Sequence, residues 1–225
     1  MPLSADENRN SPFQRRGLLF VLSSPSGAGK STLTKTLMGQ DKELVLSVSA
    51  TTRERRHSEI EGVHYHFVAQ DTFQEMIERN QFLEWAEVHG NYYGTPKKPV
   101  EEALEKGLDV VFDIDWQGTL QIAEKMKEDV VSIFVLPPSM KELKGRLERR
   151  AEDSRETILK RLNNAVTEIA QWHSYDYILI NDDLEHVFAQ VRAILTAERL
   201  KRKRQKNIDE TIDRLTHENN TGSES

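Results

Sequence analysis

The sequence of 225 residues predicts an α/β fold, in which helices cover both faces of a mainly parallel β-sheet. Two observations carry this prediction. Short apolar runs, of the kind buried in strands, alternate along the chain with segments of helical periodicity. The alternation breaks once, between residues 49 and 99, and then resumes, so that stretch is interpreted as an inserted subdomain.

Each element is predicted from its own pattern. Runs that are rich in Val, Ile, Leu and Phe, or that alternate in polarity, predict strands at residues 17–24, 44–50, 64–68, 108–115, 130–136 and 177–180. Asp71 and Ser139 are placed as helix N-caps, and Gly39 and Gly107 as helix ends. Helices are accordingly predicted at residues 30–39, 71–80, 100–106, 119–127, 139–150, 158–169 and 184–204. The aromatic, Gly-rich stretch 89–99 is predicted to be a loop.

Composition divides the chain into a folded part and two ends. Residues 1–16 are polar, contain two prolines and show no apolar periodicity, which predicts a flexible tail. Residues 17–204 form the predicted domain, whose core consists of residues 17–48 and 100–204. Residues 205–225 are predicted to be a polar C-terminal tail.

The overall composition excludes several classes of protein. The absence of cysteine excludes disulfides, thiol catalysis, Cys-zinc sites and iron–sulfur clusters. The net charge of −6 disfavours a general nucleic-acid binder. Apolar runs are far shorter than a bilayer needs, and the first residues do not resemble a secretory signal. We therefore expect a cytoplasmic globular protein with neither nucleic acid nor membrane as partner, and the sequence leaves a homo-oligomer open.

The strongest motif is SPSGAGKST at residues 24–32, between a predicted strand and a predicted helix. It matches the phosphate-binding pattern Gly-x-x-x-x-Gly-Lys-Ser/Thr, with Ser24 in place of the first glycine. Gly27 and Gly29 allow backbone N–H groups to point at phosphate oxygens, and the helix start adds a partial positive charge. The loop therefore predicts a nucleotide-binding parallel sheet of the P-loop NTPase type.

Two side chains of this loop carry its chemistry. Lys30 is expected to pair with the β- and γ-phosphates, and the hydroxyl of Ser31 to bind Mg²⁺. Ser24 is compatible with the loop provided that its position does not need a positive φ. The alternative is a Gly/Ser turn that only caps the following helix.

Two further groups have weaker signals. Arg53 and Arg56 lie beside three hydroxyl residues, which suits a phosphate clamp but equally describes a solvated basic loop. Asp113 and Asp115 end a predicted buried strand, where open α/β sheets bind ligands. They are candidates to hold a metal-bound water or a donor-rich ligand, and the alternative is that they cap the next helix.

The segment 146–161 is rich in arginine and is interrupted by a predicted loop, which suggests a lid over a triphosphate at about residues 148–157. A charged helix face with Glu–Arg pairs is the alternative. His64 and His66 share one strand face, but no third metal ligand lies at suitable spacing. The basic run 201–206 is interpreted as a solvated helix end, because acidic residues follow it.

Taken together, residues 17–200 closely resemble the guanylate kinase family of nucleoside-monophosphate kinases. The resemblance is carried, in order, by SPSGAGKST, SATTRERR, GVHYHFV, FLEWAEVHGNYYGTP, VFDIDWQG, RLERRAED…RETILKRL and INDD. It implies an inserted GMP-binding subdomain at residues 49–99 and a helical lid. The activity it implies is transfer of a phosphoryl group from MgATP to GMP, with dGMP as a second acceptor.

The resemblance also implies residue roles. ATP would be bound by Asn181 near the adenine and by the phosphate loop, through Ser24, Pro25, Ser26, Gly27, Ala28, Gly29, Lys30, Ser31 and Thr32. The GMP site would consist of Ser49, Arg53, Arg56, Tyr65 and Tyr93 at the phosphate, and of Glu84 and Thr95 at the guanine, with Asp115 nearby. Asp113, also assigned to this site, would lie near the metal and the phosphates. The catalytic cations would be Lys30, Arg146, Arg150 and Arg161, and the metal Mg²⁺, held through Ser31.

The chemistry of two of these residues supports a guanine acceptor independently. Guanine presents N1–H and N2–H₂ as adjacent donors and O6 as an acceptor. The carboxylate of Glu84 can accept from both donors, and the hydroxyl of Thr95 can donate to O6. Adenine has an acceptor at N1, which would face the carboxylate with no proton between them.

Two other functions remain as alternatives. Domains that resemble guanylate kinase also serve as non-catalytic peptide-binding modules, but these tend to lack an intact ATP loop, which this chain keeps at Gly29-Lys30-Ser31. A related kinase acting on a phosphorylated ribose would not need the pair of Glu84 and Thr95.

Overall fold

A computed structural model describes residues 14–149 and 154–221. Over these residues the strands are β1 (Leu19–Ser23), β2 (Leu44–Leu46), β3 (Ala50–Thr51), β4 (His66–Phe67), β5 (Phe82–Val88), β6 (Asn91–Pro96), β7 (Asp109–Asp113), β8 (Val130–Leu136) and β9 (Tyr177–Ile180). The helices are α1 (Lys30–Gln40), α2 (Gln70–Glu78), α3 (Lys97–Glu105), α4 (Trp116–Lys125), α5 (Met140–Arg149), α6 (Arg155–Ile169), α7 (Leu184–Arg199) and α8 (Ile208–Thr221), with short 3₁₀ turns at Trp172–Ser174 and Arg202–Arg204.

The larger sheet is parallel throughout, with strand order β2-β7-β1-β8-β9. Its central strand, β1, contains consecutive apolar residues, and successive side chains of a strand point to opposite faces, so β1 is apolar on both faces. Phe20 and Leu22 pack in one apolar cluster, whereas Leu19 and Val21 pack in another. The predicted α/β fold with a parallel sheet between helices is confirmed, and the carboxyl ends of its strands define one edge where ligands bind.

A smaller mixed sheet, with strand order β4-β3-β6-β5, is built from residues 50–96. It contains the antiparallel pair β5–β6, joined through His89 and Gly90, both of which have positive φ. The prediction of a loop at residues 89–99 was therefore wrong. Tyr92, Tyr93 and Thr95 are good strand formers that pair with β5, and α3 follows them directly.

Several boundaries of helices and strands also differ from those predicted. The run 44–50 divides between β2 and β3, which belong to different sheets. Asp71 is not an N-cap, because α2 begins one residue earlier and Ala69 occupies that position. Gly39 lies inside α1, and α7 ends at Arg199 rather than continuing to residue 204.

The ends of the described chain are packed together. Arg15 and Arg16, which the sequence placed in a flexible tail, form ion pairs with Asp109 and Asp129, and Arg15 also bridges to Gln205. The other residues of that predicted tail, 1–13, lie outside the described part. The predicted polar C-terminal tail contains α8. In the described ranges no helix is long and apolar enough to cross a membrane.

A buried carboxylate organises this end of the domain. Asp109 is fully buried and contacts two guanidinium groups at 2.6 Å each, those of Arg15 and Arg199. It also accepts the backbone N–H of Leu18 at 2.9 Å, so it joins the N-terminal segment, β7 and the end of α7.

Candidate functional site

The phosphate loop lies between β1 and α1, as the motif predicts. Gly27 and Gly29 have φ values of 95° and 106°, a conformation that side chains other than glycine rarely adopt. Ser24 is not among the described non-glycine residues with positive φ, so serine is compatible with the loop at this position. Ser31 and Thr32 open α1 with exposed side chains.

Lys30 points from the first turn of α1 towards the end of β7. Its ammonium group lies 2.7 Å from a carboxylate oxygen of Asp113 and donates to the carbonyl of Ile114 at 3.1 Å. Asp115 instead caps α4, because its side chain accepts the backbone N–H of Gly118 at 2.9 Å. The two acidic residues that the sequence treated together therefore do different things: one pairs with the loop lysine and one caps a helix.

The outer side of the loop is held by two residues that were predicted to contact ATP. The amide of Asn181, which is 4% exposed, donates to the carbonyl of Ala28 at 2.7 Å. Arg146 donates to the carbonyl of Asn181 at 2.9 Å and pairs with Glu142. In this structure both side chains support the loop.

A cavity of about 290 Å³ opens along the inner side of the loop. It is lined by Ser23, Ser24, Pro25, Ser26, Gly27, Gly29, Lys30, Ser31, Asp115, Trp116, Phe134 and Glu168. Seven of the nine motif residues thus contribute to one concave surface, and Asp115, Trp116, Phe134 and Glu168 reach it from distant parts of the chain. Glu168, on α6, was not predicted, because a carboxylate near the end of an amphipathic helix carries no local signal.

The predicted guanine-reading pair lies on neighbouring strands. Glu84 on β5 is directly opposite Thr95 on β6, and the threonine hydroxyl donates to the carboxylate at 2.6 Å. Both residues are buried, and burial raises the pKa of Glu84, an effect that the Thr95 hydrogen bond opposes. Repulsion from Asp115, which lines the loop cavity, raises the pKa of Glu84 further.

Three of the residues predicted at the GMP phosphate are brought together. The Arg53 guanidinium lies 5.6 Å from the ring centre of Tyr65, and the rings of Tyr65 and Tyr93 are 5.9 Å apart. Arg53 is paired with Glu59 at 2.7 Å, and this hydrogen bond lowers the pKa of Glu59. An incoming phosphate would compete with Glu59, an acceptor that the sequence motif did not reveal.

The other residues predicted at the GMP phosphate or among the catalytic cations lie as follows. Ser49 is half-buried at the start of β3, where its carbonyl accepts the N–H of His66 at 2.9 Å, and Arg56 has an exposed side chain. Arg161 is half-buried on α6. Arg150 lies outside the described residues.

Oxygen ligands of the kind that Mg²⁺ prefers are present at the cavity. The exposed hydroxyl of Ser31 lies at its rim, together with the carboxylate of Asp115. Within the described ranges no cluster of three or more His, Asp or Glu residues forms a complete metal site. The donor set therefore fits an ion that takes most of its ligands from water and from nucleotide phosphates.

The fold and this loop define a P-loop nucleotide-binding protein of the α/β class. Comparison with known proteins narrows the class. The profile of the family described as guanylate kinase matches residues 16–198, and the chain belongs to that family.

Individual relatives agree with this assignment. The chain is 58% identical to the guanylate kinase of Chelativorans sp. (strain BNC1), over 89% of this chain and 92% of that protein. It is 56% identical to the guanylate kinase of Rhizobium etli, over 93% of this chain and 96% of that protein. The crystal structure of guanylate kinase from Anaplasma phagocytophilum matches with a TM-score of 0.68 and 39% identity, covering 88% of this chain and 94% of that one.

Proposed function

We propose that this protein catalyses phosphoryl transfer from MgATP to GMP, giving ADP and GDP. One observation carries the choice of acceptor: the buried carboxylate of Glu84, paired with Thr95, lies beside Gly118, whose backbone N–H is bound by the Asp115 that also lines the phosphate-loop cavity. A base bound at Glu84 would therefore place its own phosphate within the same cleft as the triphosphate. We expect the enzyme to act in the cytoplasm, because both proposed substrates are nucleotides found there.

The reaction is a direct transfer. An anionic oxygen of the GMP phosphate attacks the γ-phosphorus, and the bond from that phosphorus to the bridging oxygen of ADP breaks. No general base is needed because the nucleophile is already ionised, so catalysis depends on positioning and on charge stabilisation. When bound, Mg²⁺ would neutralise charge on the β- and γ-phosphate oxygens.

The chain's own residues divide this work. Lys30 would exchange Asp113 for the transferring phosphates, and loop N–H groups would hold the β-phosphate. Arg53, with Tyr65 and Tyr93 beside it, would bind the GMP phosphate in place of Glu59. The Thr95 hydroxyl, which donates to Glu84, would have to turn to donate to guanine O6.

Two parts of the chain would close over the bound substrates. Residues 49–99 would close over GMP, and the lid at about residues 148–157 would bring Arg146, Arg150 and Arg161 to the triphosphate and exclude water. In this structure Arg146 supports the loop instead, which fits an open state.

An acceptor panel tests the proposed reaction. ADP release from MgATP is measured with GMP, AMP, UMP, CMP and ribose 1,5-bisphosphate offered separately. Turnover with GMP alone supports the proposal. Turnover with the ribose bisphosphate would identify a different kinase, and failure to bind either nucleotide would favour a peptide-binding module.

Glu84→Gln tests how the base is recognised. The variant turns an acceptor into a donor at the position that faces N1–H and N2–H₂, so we expect kcat/KM for GMP to fall by about 10²-fold. The matched control is Glu87→Gln, an exposed residue of the same strand, for which we expect no change. An unaltered kcat/KM in the Glu84 variant would show that guanine is read elsewhere.

A further inference from the structure

Glu168 occupies the ATP side of the cleft although it belongs to no motif. It lies in the last turn of α6 and lines the cavity of the phosphate loop, far along the chain from the loop itself. The backbone N–H of Ser26, in the loop, interacts with its carboxylate and favours the charged form. Glu168 therefore lies beside the backbone N–H groups that a phosphate loop offers to nucleotide oxygens.

The position is an unfavourable one for a negative charge. The Oε2 atom of Glu168 is buried and accepts no hydrogen bond from any described residue. Burial raises the pKa of Glu168, and so does repulsion from Asp115, whereas Lys30 and the Ser26 amide lower it. The end of a helix, which carries a partial negative charge, also disfavours a carboxylate.

The charge balance of the cavity suggests why such a group matters. Among the described residues that line it, Lys30 is the one cation, against the two carboxylates of Asp115 and Glu168. Lys30 is in addition paired with Asp113. A triphosphate therefore enters a cavity whose own side chains carry a net negative charge.

We propose that Glu168 is a specificity-determining residue of the ATP site, which disfavours the uncomplexed triphosphate and so favours MgATP. Its carboxylate repels the phosphates at short range. Mg²⁺ removes two negative charges from the nucleotide, so the complex is repelled less than free ATP. This inference rests on the proposed use of ATP as donor.

The test measures the affinity of the Glu168→Gln variant for free ATP and for MgATP, which differ in charge. The amide keeps the shape of the side chain but removes its charge. By calorimetry in EDTA we expect free ATP to bind the Glu168→Gln variant about fivefold more tightly than it binds the unaltered protein. This is the scale of a partly screened contact between charges. With excess Mg²⁺ the gain for MgATP should be smaller, so the preference for MgATP over free ATP should fall.

The control is Glu124→Gln, which removes the same charge from an exposed site on α4 and should leave both affinities unchanged. Glu168→Ala provides a second charge-removing variant, and thermal melts verify folding. Equal or weaker binding of free ATP by the Glu168 variants overturns the inference. So does a loss confined to MgATP, which would mean that the carboxylate supports the metal. If the unaltered protein itself failed to bind ATP, the proposed donor would be wrong, and that result is visible without any variant.

Discussion

Lys30→Ala is expected to lower kcat for GMP phosphorylation by about 10²–10³-fold, the scale found when one preorganised charge-stabilising group is removed. Lys30 is the cation of the loop cavity, and its ammonium group lies at the point where β7 ends and the γ-phosphate would lie. Negative charge that grows on the transferring oxygens would lose its nearest stabilising partner. The measurement is the rate of coupled ADP release at saturating MgATP and GMP.

A neighbouring lysine supplies the control. Lys35→Ala changes an exposed residue of the same helix and should leave the rate unchanged. Thermal melts of both variants separate a fault in folding from a fault in catalysis, since the Lys30–Asp113 pair is partly exposed and should contribute little to stability. A variant that folds and retains near-normal turnover without Lys30 would contradict the proposed mechanism.

Asp109→Ala is expected to have the largest effect on stability, reducing the free energy of unfolding by about 3–5 kcal/mol. The carboxylate is fully buried, and its loss would leave the guanidinium groups of Arg15 and Arg199 with only the partly exposed carboxylates of Glu43 and Asp41 as partners. The backbone N–H of Leu18 would lose its acceptor as well. Urea unfolding followed by circular dichroism measures the difference directly.

The comparison variant is Asp71→Ala, which removes an exposed carboxylate from the first turn of α2. It should cost about 0.5 kcal/mol, since only a favourable interaction with the helix dipole is lost. Asp109→Asn keeps the volume and still removes the charge, and it should resemble Asp109→Ala. A loss of under about 1 kcal/mol in both Asp109 variants would show that the cluster contributes little net stability.

These two predictions concern opposite ends of the same strand. Asp109 begins β7 and Asp113 ends it, so one strand positions both the structural carboxylate and the partner of the loop lysine. Parallel strands present all their carboxyl ends at one edge, which is where the cavity lies. At the opposite, amino end of β7, Asp109 binds Arg15 of the N-terminal segment and Arg199 at the end of α7.

Local chemistry explains what the sequence could predict. Patterns within a few residues predict the strand at residues 19–23, the turn with its two positive-φ glycines and the helix that begins at Lys30. They suffice because the backbone conformation there depends on residues that are close in sequence. The strand β8 and the capping of α5 by Ser139 were confirmed for the same reason.

Where elements depend on partners elsewhere, the sequence was less reliable. The strand β6 was predicted to be a loop because its glycine and aromatic residues signal a turn until β5 is placed beside it. Arg15 and Arg16 resemble a solvated tail unless Asp109 and Asp129 are known to face them.

By itself, then, the sequence determined the phosphate loop and the alternating α/β core, and it predicted Glu84 and Thr95 as the groups that would recognise guanine. Only the tertiary structure decided which of those groups meet: that Lys30 pairs with Asp113 while Asp115 caps a helix, and that Arg146 supports the loop. It also placed Glu168 inside the cavity. The reason is physical: backbone propensity acts between near neighbours, whereas charge pairing and burial depend on distances that only the folded chain defines.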